Sequence, residues 1–107
     1  MAIVSTDINI NNNDLTNGAG YFTQGSNPEV KPHNGKTNAF LVAGTFDGAS
    51  ISLQHKIGEV WVDVGENTTL TDDGGGLFTT PVSNIRVSVQ GAGQNIDVQV
   101  IIKPIVL

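Results

Sequence analysis

Two stretches in the C-terminal third, Asn84-Ile85-Arg86-Val87-Ser88-Val89-Gln90 and Asn95-Ile96-Asp97-Val98-Gln99-Val100-Ile101-Ile102, alternate β-branched and polar residues. A period of two sends neighbouring side chains to opposite faces of a pleated strand, so one set is buried and the other meets water. No stretch of the chain keeps apolar residues at helical spacing over three turns, and almost no helix is expected. The pattern therefore predicts an all-β fold built from short strands.

A chain of 107 residues has material for one core, not two. It contains no cysteine, which removes disulfides, thiolate metal sites and a thiol nucleophile, and leaves stability to packing, hydrogen bonding and association. The net charge is -5, and the 5 basic residues, Lys31, Lys36, Lys56, Arg86 and Lys103, are scattered along the sequence. Such scatter makes no phosphate-tracking surface, so nucleic acid is not an expected partner. Ala2 to Ile10 is interrupted by Ser5, Thr6, Asp7 and Asn9, so neither a signal peptide nor a membrane span is expected. Only 14% of the residues are charged, and a surface made mostly of neutral polar groups has little charge to desolvate when molecules meet.

Residues 1–38 differ in composition from the rest. Eight asparagines lie there among glycines and the prolines Pro28 and Pro32, without sustained periodicity. Asparagine and glycine favour turns and proline removes ladder donors, which predicts an extended arm before a sandwich of residues 39–107. Two apolar patches in the arm, Ile3-Val4 with Ile8 and Ile10, and Tyr21-Phe22, read as brief edge strands, as anchors that dock on a neighbour, or as a loop covering the end of the sandwich.

Within the sandwich region, Ala39 to Phe46 is a mostly apolar run that ends at Asp47-Gly48, a dipeptide suited to a tight hairpin. Ala49 to Lys56 should pair back antiparallel. Val60-Trp61-Val62-Asp63-Val64 alternates after Gly58. A short strand at 68–71 leads to a flexible turn at Asp72-Asp73-Gly74-Gly75-Gly76, and a last hairpin is expected to join 85–89 to 96–102 across Gly91-Ala92-Gly93-Gln94. About six or seven strands at this spacing predict a small antiparallel β-sandwich of jelly-roll or immunoglobulin-like type. The final residues Ile105, Val106 and Leu107 stay apolar, so they are expected to be buried on the sheet or on another subunit.

Residues for chemistry are sparse. His33 lies between Pro32 and Asn34, and His55 shares parity with Ile51 and Leu53; neither has a nucleophile or a metal partner at useful spacing. Asp47 is accounted for by its turn and Asp63 by its outward parity. Asp72 and Asp73, with Glu66 or Asn67, lack the regular spacing of a calcium loop. The glycine triplet leads into no helix and carries no lysine, so it is not a phosphate cradle. With no nucleophile, base and orienting group to assemble, the chain reads as a non-enzyme without a cofactor. Parity places Trp61 outside if Val60, Val62 and Val64 point inward, where it could stack on a sugar ring or fill a subunit contact; a core position is the other option.

The order Gly44-Thr45-Phe46-Asp47-Gly48-Ala49-Ser50-Ile51-Ser52-Leu53-Gln54, then Val60-Trp61-Val62-Asp63-Val64, then Ile85-Arg86-Val87-Ser88-Val89 resembles small β-sandwich proteins found among the virion components of tailed bacteriophages. The resemblance covers rather more than half of the chain and rests on folding motifs. It implies a virion structural protein in capsid, neck or tail, made in the host cytoplasm. Together with the arm it favours a decoration or cement protein bound to the capsid surface through that arm and the sandwich edge, its partner the major capsid protein or another virion protein, as a symmetric homo-oligomer such as a trimer. The residues expected to meet partners are Ile8, Ile10, Tyr21, Phe22, Trp61, Ile105, Val106 and Leu107. A glycan-binding attachment module using Trp61 is the alternative.

Overall fold

The alternating stretches become strands whose register buries one parity. The structure, a computed structural model, describes residues 6–23, 37–79 and 84–105. Its strands are β1 (Thr6–Asn11), β2 (Gly20–Thr23), β3 (Asn38–Thr45), β4 (Ser50–Ile57), β5 (Val60–Asp63), β6 (Thr69–Leu70), β7 (Gly74–Phe78), β8 (Ile85–Gln90) and β9 (Asp97–Pro104). Single 3-10 turns at Asn12–Asp14 and Glu66–Thr68 are the only helical pieces among the described residues.

Two antiparallel sheets form a sandwich. One has the order β1-β9-β3-β7; the other has the order β2-β8-β4-β5, with β6 also on β4. Ile8, Ile10, Phe40, Val42, Val98, Val100 and Ile102 from the first meet Phe22, Ile51, Leu53, Ile85, Val87 and Val89 from the second in a single buried cluster. Each such side chain, fully buried, contributes roughly 1.5–3 kcal/mol. The expected all-β sandwich is what the chain forms.

The connections differ from expectation. The Asp47-Gly48 turn is present, with φ 49 and 85 at its two residues and Ala49 N donating to Phe46 O at 3.0 Å. Yet β3 and β4 lie in different sheets, because Phe46 and Ala49 both drop into the core and splay the strands apart. The crossing from β8 to β9 likewise joins the two sheets rather than closing a hairpin. Among the described residues, β4 and β5 are the only strands adjacent in sequence that pair with each other. The two crossings are tied at one end of the sandwich. Gly93 N donates to Asp47 O, and Asn95 N to the Asp47 carboxylate, each at 2.9 Å.

Two further corrections concern glycine-rich segments. Gly74–Gly76, read as a flexible turn, are strand residues of β7 paired with Phe40 to Val42. A Cβ on Gly75 would stand 2.4 Å from a Leu41 methyl and 2.5 Å from the Phe40 carbonyl, so a bare backbone is what lets β7 lie against β3. The arm is also shorter than its composition suggested. Residues 6–11 pair with β9 and residues 20–23 with β8, so both belong to the sandwich; residues 24–36 lie outside the described part. Asn11 serves a turn: its side chain caps the Asn12–Asp14 turn, and the Asp14 carboxylate accepts from Asn11 N at 2.9 Å.

Candidate interaction face

The residues expected to meet partners separate into three groups. Ile8, Ile10 and Phe22 are spent on this chain's own core, with Ile10 0% exposed, because their parity in β1 and β2 points between the sheets. That overturns their assignment as anchors. Tyr21 and Trp61 lie on the outer face of the five-stranded sheet, Tyr21 53% exposed and Trp61 half-buried. Ile105 is exposed, its N donating to Thr37 O at 2.8 Å, while Val106 and Leu107 lie outside the described residues.

The cross-strand register explains how Tyr21 and Trp61 come together. Tyr21 pairs with Ser88, Thr23 with Arg86, Arg86 with Gln54, Gln54 with Asp63, and Lys56 with Trp61. All these side chains share the outward parity. Arg86 thus stands in the middle of the sheet with one aromatic ring diagonal to it on each side. Its guanidinium carbon lies 3.9 Å from the Tyr21 ring centroid and 4.4 Å from the Trp61 centroid. Contacts of this kind contribute about 0.5–1 kcal/mol each at exposed sites.

A polar chain locks the row. Arg86 Nε donates to Gln54 Oε1 at 2.7 Å, and Gln54 Nε2 donates to Asp63 Oδ1 at 2.9 Å. Gln90 Nε2 reaches the Tyr21 hydroxyl at 3.2 Å. Loss of water around the guanidinium pushes the Arg86 pKa down from its ordinary value, and Tyr21 opposes the shift. The group stays charged at any physiological pH. Sequence reasoning found Trp61 and Tyr21 but missed Arg86, Gln54 and Lys56. Their shared outward parity was the available signal; which strands lie side by side was not.

The hairpin end tells a related story. Val60 and Val62 do share the inward parity, opposite Ile57 and His55, yet Val60 is 61% exposed and Ile57 and Val62 are exposed as well. Inward parity buries a side chain only where the other sheet reaches it.

Elsewhere the chemistry is thin. A concavity of about 580 Å³ lies between Thr37, the 65–68 turn and the end of β7; among the described residues its one ionisable side chain is Glu66. His33 is outside the described residues, and His55 is half-buried at the end of β4. Asp72 accepts from Asp73 N and Asp73 from Gly44 N, each at 2.8 Å, so both carboxylates hold backbone. Among the described residues no three ionisable ligands gather as a metal site would need, and no helix is long and apolar enough to cross a membrane. The chain matches no known protein family, no curated protein and no solved structure.

Proposed function

We propose that the chain is a non-enzymatic structural component of a bacteriophage particle, a decoration or cement protein that seats the outer face of its five-stranded sheet on a capsid protein. The observation that carries this reading is the Tyr21–Arg86–Trp61 stack on an open sheet face. Tyrosine, tryptophan and arginine supply most of the energy at protein interfaces, and rigid rings lose little entropy on contact. The phage assignment rests on the resemblance of the Gly44–Gln54, Val60–Val64 and Ile85–Val89 segments. Because residues 6–23 belong to the sandwich, the contact is assigned to the sheet face rather than to an arm.

The test is sedimentation of the purified chain with particles that lack it. The unaltered chain is expected to co-sediment to saturation, and Trp61→Ala to lose about ten-fold or more in affinity while keeping its far-UV spectrum. A chain that ignores every particle offered ends the reading.

Trp61 and Tyr21 beside the polar groups of Gln54, Asp63 and Gln90 also suit a sugar, which supports a glycan-binding attachment module as the second reading. Calorimetric titration with glycans separates the two. A role in the neck or tail is separated by which purified subassembly retains the chain.

A further inference from the structure

The charges on this face are arranged unusually for so acidic a chain. Asp63 is the carboxylate nearest to Arg86 in the cross-strand row, but Gln54 stands between them and takes both hydrogen bonds. Lys56, one step along β4 from Gln54 on the same face, is cross-strand partner to Trp61. Among the described residues no carboxylate forms an ion pair with Arg86 or with Lys56. Arg86 has used Nε on Gln54 and its flat faces on two rings; the terminal nitrogens carry its remaining donors.

Those donors form a planar fork that matches the two oxygens of a carboxylate. The rings hold the guanidinium in place and strip water from its faces, so little is lost in ordering it when an acceptor arrives. We propose that Arg86, held between Tyr21 and Trp61 and supported by Lys56, is a receptor for a carboxylate side chain on an acidic segment of the partner protein. The inference rests on reading this face as a protein contact surface. Among the described residues Arg86 and Lys56, ion-paired to no carboxylate, outnumber Asp63 in this row of a chain of net charge -5, and they supply the charge complementarity for such a segment. The face is an open sheet surface and the hollow beside it, lined by Thr23, Lys56, Trp61, Asn84 and Ile85, is only about 230 Å³, which favours a side chain over a buried small ligand.

The experiment follows the Arg86 Nε–Hε resonance and Trp61 fluorescence while capped pentaglutamate, capped pentaglutamine or glucuronate is added at low ionic strength. Pentaglutamate is expected to give a saturable response that salt weakens, and pentaglutamine none. Arg86→Gln should weaken pentaglutamate about ten-fold or more, Arg86→Lys should recover only part of this, and Lys56→Gln should cost a smaller factor. Each variant is checked for a native amide spectrum first. No saturable response, or an equal response to pentaglutamine, overturns the proposal. Tighter binding of glucuronate overturns the protein occupant in favour of an acidic sugar, and self-association abolished by Arg86→Gln overturns it in favour of a second copy. Particles that bind Arg86→Gln as well as the unaltered chain sink this inference and leave the particle reading standing. A peptide response without particle binding does the reverse.

Discussion

The two outer faces of the sandwich cover the same core and are built on different terms. On the four-stranded sheet, polar groups near the β1 edge satisfy one another: Asn9 Nδ2 donates to the Asp97 carboxylate at 2.9 Å and to Val98 O at 3.1 Å, and Gln99 donates to Asp7. Farther across, Leu77 of the glycine-rich β7 and Leu41 of the neighbouring β3 stand exposed. On the five-stranded sheet, Gln54 instead holds Arg86, Gln90 reaches the Tyr21 hydroxyl, and Tyr21 and Trp61 stack on the guanidinium. Near the β1 edge one face spends its polar groups internally; around Arg86 the other presents them. A flat sheet surface therefore becomes a candidate site through its unpaired charges and held rings rather than through its shape.

The largest effect should be common to both faces. Phe40, fully buried, touches the core that each sheet needs, so Phe40→Ala should cost about 3–5 kcal/mol in chemical denaturation. A single cooperative transition is expected; separate loss of the two faces would break the comparison at its base.

A medium effect should be confined to the four-stranded face. Gly75→Ala drives a methyl into Leu41 and the Phe40 carbonyl, with an expected cost of about 1–3 kcal/mol. Amide exchange should rise at β7 and β3, while the Tyr21, Arg86 and Trp61 resonances stay in place. Displacement of those resonances would mean that the faces are not independent.

The smallest effect should sharpen what is distinct about the other face. A double-mutant cycle of Arg86→Gln and Trp61→Leu is expected to return a coupling of about 0.5–1 kcal/mol in thermal or urea unfolding. A coupling indistinguishable from zero would reduce the stack to chance proximity.

The strands of this fold were legible because their cause is local. Alternation at 85–89 and 96–102 identified β8 and β9, and parity picks out Val87, Val89, Val98 and Val100 as the inward set, which is buried because each sheet covers the other there. The pairing was not legible. Asp47-Gly48 makes the same turn whether the flanking strands join or part, and what decides is the burial of Phe46 and Ala49 between two sheets that the local sequence does not display. Residues 6–23 were legible only in part for a related reason: brief edge strands at Ile8–Ile10 and Tyr21–Phe22 were one reading among three, because asparagine-rich composition reports the turn at Asn12–Asp14, while the short strands beside it are held by partners far along the chain. Of the candidate site, Trp61 could be named from its type and parity, and Tyr21 as part of an apolar patch in an otherwise polar stretch. Arg86 needed the register.

The crossings between sheets set a schedule for how the molecule comes into being. β9 is an inner strand, paired with β1 on one side and β3 on the other, and Thr6 sits opposite Ile102. Until the last of these strands leaves the ribosome, the first has nothing to lie against. Assembly dominated by such distant pairings is slow, and the waiting segments carry open edges meanwhile. A chain built this way completes its four-stranded sheet only after residues 97–104 have been synthesised.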